Sequence, residues 1–88
     1  MLLRIVSAEW ELYLGEVQKV GIPTNNWILW ILPGHMNLVT PLISGLISYL
    51  PLEAPSSLLD SFSDHTNTIE VWWGLAMIEN DMITIAVE

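Results

Sequence analysis

The residues best suited to acid–base or metal chemistry are two histidines, His35 and His65, which lie far apart in the chain. Asp60 and Asp64 stand close to His65, and two imidazoles with two carboxylates would complete a four-coordinate zinc site. Nothing in the spacing brings His35 to the other three residues, and a solvated acidic loop explains Asp60, Asp64 and His65 more simply. We therefore predict no metal site and no cofactor.

A nucleophilic site has equally little support. Asp64 and His65 are adjacent, and adjacent residues of an extended segment point in different directions, so they do not form a base with its orienting group. The chain contains no G-x-G-x-x-G, no G-x-x-x-x-G-K-[ST] and no G-x-S-x-G pattern, which are typical of phosphate-binding loops and of the nucleophile elbow. We predict no catalytic residues, and a small hydrolase or metal enzyme is the least favoured alternative.

Tryptophan is the residue type that points to binding. The chain has five, Trp10, Trp27, Trp30, Trp72 and Trp73, and each combines a large apolar ring with an N–H that needs a partner. Successive strand residues face opposite sides, so one of Trp72 and Trp73 should face the core and the other should not. Alternation also leaves about three apolar side chains of residues 27–32 pointing outward. We favour a binding partner over an insertion loop as the cover for that face.

A sharp corner follows those apolar residues. In "ILPGHMNLVT", residues 31–40, Pro33, Gly34 and His35 stand between two runs of isoleucine, leucine and valine. A buried strand has no use for the proline or the glycine, so the stretch predicts a turn between two apolar strands.

Short β-branched segments separated by turn residues predict strands along most of the chain. Gly15 is expected to mark a turn between strands at 2–7 and 16–22. In the segment between them, the apolar residues Trp10, Leu12 and Leu14 alternate with Glu9, Glu11 and Tyr13. This period of two predicts a strand with one covered face, formed by the apolar residues. Asn80 and Asp81 are expected to form the turn of a closing hairpin.

These segments together predict one all-β domain over residues 1–88. The expected fold is an antiparallel β-sandwich of two sheets with about eight to ten short strands. Residues 51–68, which are rich in proline, serine and acids, are expected to form a loop-like insertion.

The charge balance excludes some partners. The chain has 2 lysine and arginine residues and 10 acidic residues, which gives a net charge of -8. Two cationic side chains are too few to neutralise the phosphates of a nucleic acid. Residues 20–52 hold no ionised side chain, so a single-pass membrane protein that uses residues 27–52 is an alternative. Prolines and glycines divide this stretch into pieces too short to span a bilayer. The first residues do not follow the pattern of a signal peptide, so we expect no secretion.

The order of the motifs resembles one family, the epsilon subunit of the F-type ATP synthase, in its N-terminal β-sandwich domain. "IVSAEWELYLGEV" (5–17) and "VGIPTN" (20–25) are similar to its opening strands, and "ILPGHMNLVTPLISGLI" (31–47) to its Ile-Leu-Pro-Gly-His signature. "VWWGLAMIENDMITIAVE" (71–88) resembles its closing hairpin. The resemblance covers nearly the whole chain except 51–68.

The resemblance implies a non-catalytic subunit of the central stalk of the F1Fo complex, held by the gamma subunit and touching the c-subunit ring. It would help couple ion translocation to ATP synthesis. It would reach the membrane only through the complex, as a peripheral protein on the cytoplasmic face of a bacterial inner membrane or an equivalent energy-transducing membrane. The alternative is an unrelated small β-sandwich adaptor.

The resemblance also implies which residues matter. The corner would face the c ring, with His35 as a contact. A second interpretation, compatible with the first, is that His35 caps the corner by bonding nearby backbone. The predicted contacts with the c ring or gamma are Trp27, Ile28, Leu29, Trp30, His35 and Met36, and the predicted structural corner residues are Pro33, Gly34 and Gly45.

The chain departs from the family pattern at three places. Residues 26–30, Asn-Trp-Ile-Leu-Trp, stand where the family shows Glu-Gly-Glu-Leu-Gly, so we expect a differently shaped loop and no carboxylate contact at Ile28. Trp73 replaces the first glycine of a Gly-Gly pair. The sequence stops at Glu88, where the family continues into a helical hairpin that can brake ATP hydrolysis, so we expect a structural subunit without that brake.

Overall fold

Eight β-strands and no helix make up the part of the chain that the computed structural model describes, residues 1–53 and 67–88. The strands are β1 (Leu2–Val6), β2 (Glu11–Thr24), β3 (Trp27–Ile31), β4 (Leu38–Leu42), β5 (Gly45–Pro51), β6 (Asn67–Val71), β7 (Gly74–Glu79) and β8 (Met82–Val87). The predicted all-β fold is confirmed.

The strands form two layers that share β2. In the first sheet, the first part of β2 pairs with β1, and β8, β7 and β4 follow in that order. In the second sheet, the second part of β2 pairs with β3 on one side and with β5 on the other, and β6 follows β5. Between β1 and β8 the pairing is parallel, so the prediction of a purely antiparallel sandwich is wrong at this pair. The other pairings of the described strands are antiparallel.

The predicted turn at Gly15 is wrong, because β2 runs unbroken through it for 14 residues. Gly15 pairs with Leu3, and a Cβ on Gly15 would lie 2.7 Å from Tyr13 Oη, so the glycine makes room for that ring. A shift of register between Val17 and Lys19 marks an irregularity where the strand passes from one sheet to the other.

The alternation around Tyr13 has the predicted period but the opposite orientation. Leu12 and Leu14 are exposed, whereas Tyr13 is half-buried and packs against the core. Its ring centroid lies 4.3 Å from that of Tyr49 in β5. A partner on another strand therefore decides which face of this segment is covered.

The core is aliphatic and lies between the two layers. No polar or charged residue of the described chain is buried. The fully buried large side chains are Leu3, Ile5, Val17, Val20, Ile22, Ile31, Ile47, Val71, Ile83 and Ile85.

Two turns test the sequence predictions directly. Asn80 and Asp81 have φ values of 50° and 62° and join β7 to β8 as predicted, in the left-handed conformation that Asn and Asp tolerate. Trp72 and Trp73, by contrast, are 68% and 58% exposed. The expectation that one faces the core is wrong, because they form the link between β6 and β7 and strand alternation does not apply there.

The predicted insertion lies mostly outside the described residues, as do Asp60, Asp64 and His65. At its edges, Pro51 ends β5 and Asn67 begins β6. Within the described ranges, the structure contains no helix long and apolar enough to cross a membrane.

Candidate functional site

One short segment of the chain contains all six predicted contact residues. It consists of β3 and the corner that follows it, residues 27–37, and we call it the β3 surface. Gly45 lies elsewhere, at the start of β5, where a Cβ would come 3.0 Å from the Cβ of Pro23. Its role is therefore close packing of β5 beside β2.

The side chains of β3 divide between the core and the outside. Ile31 is buried, and Leu29 packs partly against the core. The exposed apolar side chains are Trp27, Ile28, Trp30 and Leu32, one more than alternation predicts. Trp27 accounts for the difference, because it lies at the turn into β3 and is 88% exposed.

The corner begins with a tight turn whose residues match its geometry. His35 N donates to Leu32 O at 3.1 Å, with Pro33 and Gly34 between them. Gly34 has φ 84°, which identifies a type II turn with proline first and glycine second. The predicted structural roles of Pro33 and Gly34 thus have a direct physical basis.

His35 bonds to the adjacent backbone. Its Nδ1 lies 2.8 Å from Met36 O, and since a carbonyl only accepts, Nδ1 carries the hydrogen. This contact is the backbone bond that the capping interpretation of His35 describes. Met36 beside it is 75% exposed.

Two hydrogen bonds tie the corner to the β7–β8 turn. Gly34 N donates to Asp81 Oδ1 at 3.0 Å, and Asn80 N donates to Asn37 Oδ1 at 3.1 Å. Sequence reasoning assigned no role to Asn37 and only a turn role to Asp81. A signal for these roles was present in the sequence, because the short side chains of Asn and Asp commonly accept hydrogen bonds from the backbone N–H groups of turns.

Trp30 rests flat on a neighbouring strand. It pairs with Gly21, where a Cβ would lie 2.8 Å from the indole ring. Lys19 Nζ lies 5.0 Å from the ring centroid, within the range of a cation–π contact. The missing side chain at Gly21 therefore fixes the place of Trp30 on the surface.

The turn into β3 carries a backbone conformation that suits glycine. Trp27 has φ 80°, which is unfavourable for a bulky residue. Thr24 Oγ1 donates to Trp27 O at 2.8 Å and accepts from Asn26 N at 3.2 Å. These bonds help hold the indole at the tip of the β2–β3 hairpin.

The β3 surface itself contains no Lys, Arg, Asp or Glu, but Lys19 lies over its Trp30 ring and Asp81 bonds to its Gly34 N. Residues 20–52 contain no ionised side chain, so the surface offers apolar side chains, the His35 ring and backbone groups. Such an apolar surface suits a protein partner.

Comparison with known families gives a match over the whole chain. Residues 1–88 match the family described as "ATP synthase, Delta/Epsilon chain, beta-sandwich domain".

Individual relatives agree with this match. The chain is 27% identical over 85 residues to the ATP synthase epsilon chain of Prochlorococcus marinus, which covers 97% of this chain and 55% of the relative. It is 31% identical over 83 residues to the epsilon chain of Helicobacter hepaticus, covering 94% and 56%. The chain thus spans about half the length of these relatives.

Solved structures share the fold. A chain in the Euglena gracilis mitochondrial ATP synthase, in a structure of OSCP, F1 and c-ring, superposes with a TM-score of 0.80 at 16% identity, covering 99% of this chain and 49% of that one. A chain of the Tetrahymena thermophila mitochondrial ATP synthase, in a structure of the central stalk and c-ring, gives 0.74 at 17% identity, with 99% and 62% covered.

Proposed function

Because the chain belongs to the family of ATP synthase delta/epsilon chain β-sandwich domains, we propose that it is a non-catalytic rotor component of the F1Fo ATP synthase. It binds the gamma subunit of the central stalk and contacts the c-subunit ring. In this position it helps transmit ion-driven rotation to the catalytic subunits. The observation that carries the proposal is the family match over residues 1–88.

The β3 surface is our proposed ring contact. Its exposed apolar side chains and its tethered corner present a largely apolar face. Trp27, Ile28, Trp30 and Met36 supply contact area, the free edge of Leu29 adds a little, and His35 Nε2 supplies a polar group. Pro33 and Gly34 set the shape of the corner.

The proposed location follows from the complex. The chain is held at the membrane as a peripheral subunit through its protein partners. The side that fits best is the cytoplasmic face of a bacterial inner membrane, or the matching face of an equivalent energy-transducing membrane.

Affinity purification tests this function. The full chain is tagged at its C-terminus and isolated from gently solubilised membranes of its own host, and its partners are identified by mass spectrometry. We expect gamma, alpha, beta and c subunits in one complex. Absence of gamma from an otherwise intact preparation would overturn the proposal and leave a β-sandwich domain of this family that acts as an adaptor for another partner.

A further inference from the structure

The backbone of β3 directs half of its polar groups away from the sheet. Pro23, opposite Ile28, accepts a hydrogen bond from Ile43 N at 3.1 Å, and Ile43 leads into β5, on the far side of β2. The N–H and C=O of one strand residue point the same way, so Pro23 and Ile28 form a non-hydrogen-bonded pair. Ile28 and, two residues on, Trp30 therefore point their N–H and C=O groups at the outer edge of β3.

Both ends of this outward row are closed by bonds within the chain. Leu32 O accepts from His35 N at 3.1 Å, and Asn26 N donates to Thr24 Oγ1 at 3.2 Å. The positions between these ends are 28 and 30, and the described residues place no other strand beside them. The edge thus offers a short row of two N–H and two C=O groups.

The side chains of β3 leave this edge unprotected. Within the described ranges β3 pairs with β2 alone, just as β4 pairs with β7 alone and β6 with β5 alone. The edges of natural sheets are usually protected by proline or charge. Pro41 stands in β4 and Glu70 in β6, whereas β3 reads Trp-Ile-Leu-Trp-Ile and has neither.

The segment that fits this edge best is β3 of a second copy of the chain. A strand added here has to be extended and apolar, and it has to offer two outward residues that are two positions apart. β3 itself has all of these properties, and the other two open edges carry a proline and a carboxylate. The edge is therefore complementary to its own copy.

We propose that the unassembled chain forms a two-fold symmetric dimer by antiparallel pairing of β3 with β3 of a second copy. In the register that uses every outward group, Ile28 lies opposite Trp30 of the second copy, and Trp30 opposite its Ile28. Each of these two pairs exchanges two hydrogen bonds, so about four main-chain bonds join the copies. The two-fold axis passes beside Leu29. Isoleucine opposite tryptophan is also a favourable cross-strand pair.

The net charge weakens this dimer without preventing it. Residues 20–52 hold no ionised side chain, and Lys19, which lies over the Trp30 ring, has the sign opposite to the acidic excess. At physiological ionic strength the Debye length is about 8 Å, so repulsion between more distant charges of the two copies is screened. Five residues a side are fewer than a stable interface uses, and we expect a dissociation constant of about 10–100 µM that falls with added salt.

The dimer and the assembled state exclude each other, because β3 also carries our proposed ring contact. This consequence alone rests on the proposed function. Pairing would cover the apolar edge of the chain while it is outside the complex, and its low affinity would let the chain leave the dimer for assembly.

Site-directed cross-linking tests the register. The chain has no cysteine, so each single-cysteine variant of the full chain reports on one position. Leu29→Cys would face its copy across the axis as a non-hydrogen-bonded pair, with about 4.5 Å between Cα atoms, a distance that a disulfide spans. Trp27→Cys is the control. Residue 27 lies opposite Ile31 of the second copy, so its two copies are about 13 Å apart along the strands.

The control is the more exposed of the two positions. Trp27 is 88% exposed, whereas Leu29 packs partly against the core, so unspecific encounters favour linkage of Trp27→Cys. Under mild oxidation we expect Leu29→Cys to form linked dimers about tenfold faster than Trp27→Cys. Equal rates, or faster linkage of Trp27→Cys, would overturn the inference.

Measurements on the wild type make the test independent of these substitutions. Sedimentation equilibrium should show monomer at about 1 µM and dimer at about 1 mM. Hydrogen–deuterium exchange at the Ile28 and Trp30 amides should be about tenfold slower in the concentrated sample, whereas Leu29 and Ile31, bonded to β2, should be protected in both.

Three results on the wild type would overturn the inference. These are a monomer at both concentrations, a dimer in which the Ile28 and Trp30 amides still exchange fast, and protection of these amides in the monomer, which would place another segment of the chain on the edge. Each of them leaves the proposed function standing, because that function is tested by recovery of the gamma subunit.

Discussion

At the scale of single residues, two glycines occupy sites that exclude a side chain for different reasons. A Cβ on Gly74 would overlap Ala86 O and lie 3.2 Å from Val87 Cα, and both atoms belong to the backbone of β8. Gly34 has open space around it but a φ of 84°. We expect Gly74→Ala to lower the free energy of unfolding by about 3 kcal/mol and Gly34→Ala by about 1 kcal/mol. Urea denaturation measures both, and equal losses would contradict this account.

Trp27 is a second case in which backbone conformation decides the outcome. Its φ of 80° is costly for an indole, and the side chain is almost fully exposed, so Trp27→Gly should raise the free energy of unfolding by about 0.5 kcal/mol. Trp30→Gly is the control, because Trp30 packs over Gly21 and its loss should lower stability. Thermal unfolding distinguishes the two. Destabilisation by Trp27→Gly as large as by Trp30→Gly would show that Trp27 makes contacts that offset its strain.

At the scale of elements, the corner and the β7–β8 hairpin depend on each other through Asp81. Its side chain accepts from Gly34 N, and its own φ is 62°. Asp81→Asn keeps both the acceptor and the turn preference, whereas Asp81→Gly suits the turn but removes the acceptor. We expect the Gly34 amide to exchange about tenfold faster in the glycine variant than in the asparagine variant. Equal exchange rates would show that this bond does not hold the corner.

Tyr49 links β5 to β2 and gives the fold a dependence on alkaline pH. Burial, and next the neighbouring Tyr13, raise the pKa of Tyr49 above its ordinary value of 10.0, with a hydrogen bond to Asn67 acting in the opposite direction. The unfolded chain therefore loses this proton before the folded chain does. The protonated Tyr49 side chain therefore contributes to the free energy of unfolding. This contribution is complete below pH 10 and is lost as the pH rises through the pKa of Tyr49 in the folded chain.

The measurement is urea denaturation of the wild type and Tyr49→Phe between pH 8 and about pH 11. We expect the free energy of unfolding to fall more steeply above pH 10 in the wild type, because phenylalanine cannot ionise. Parallel curves would contradict the assignment.

At the scale of the whole molecule, a strongly negative net charge keeps a protein with an apolar surface in solution. Both sheets carry exposed apolar side chains on their outer faces, including Leu14, Met77 and Val39 on one and Ile28 and Leu46 on the other. The net charge of -8 opposes association of the isolated chain.

Lowering the pH should remove this protection. Near the isoelectric point of about 4.3 we expect the isolated chain to associate, and light scattering between pH 7 and about pH 4 measures it. Added salt at pH 7 should promote association more weakly, since it screens the charges without removing them. A chain that stays monomeric at its isoelectric point would show that its apolar faces do not drive association.

Local patterns predicted features that depend on few neighbours in the chain. The Pro33-Gly34 turn, the Asn80-Asp81 turn and the outward apolar side chains of β3 each follow from backbone preference or alternation. The six predicted contacts lie in one segment because they are close in sequence, and the fold turns Leu29 of that segment toward the core. The pattern did not predict the role of Asn37, because its partner, Asn80, is remote in sequence and only the fold brings the two together.

The sequence by itself determined the class of fold and the apolar, uncharged character of residues 20–52, because period, turn residues and charge are local properties. The tertiary structure alone decided the unbroken course of β2 through Gly15, the inward orientation of Tyr13, the exposure of both Trp72 and Trp73 and the parallel pairing of β1 with β8. The two tryptophans are exposed because β6 ends before them and β7 begins after them. The other three features depend on which distant strand lies alongside, and that choice is made by packing of the shared core rather than by the preference of any single segment.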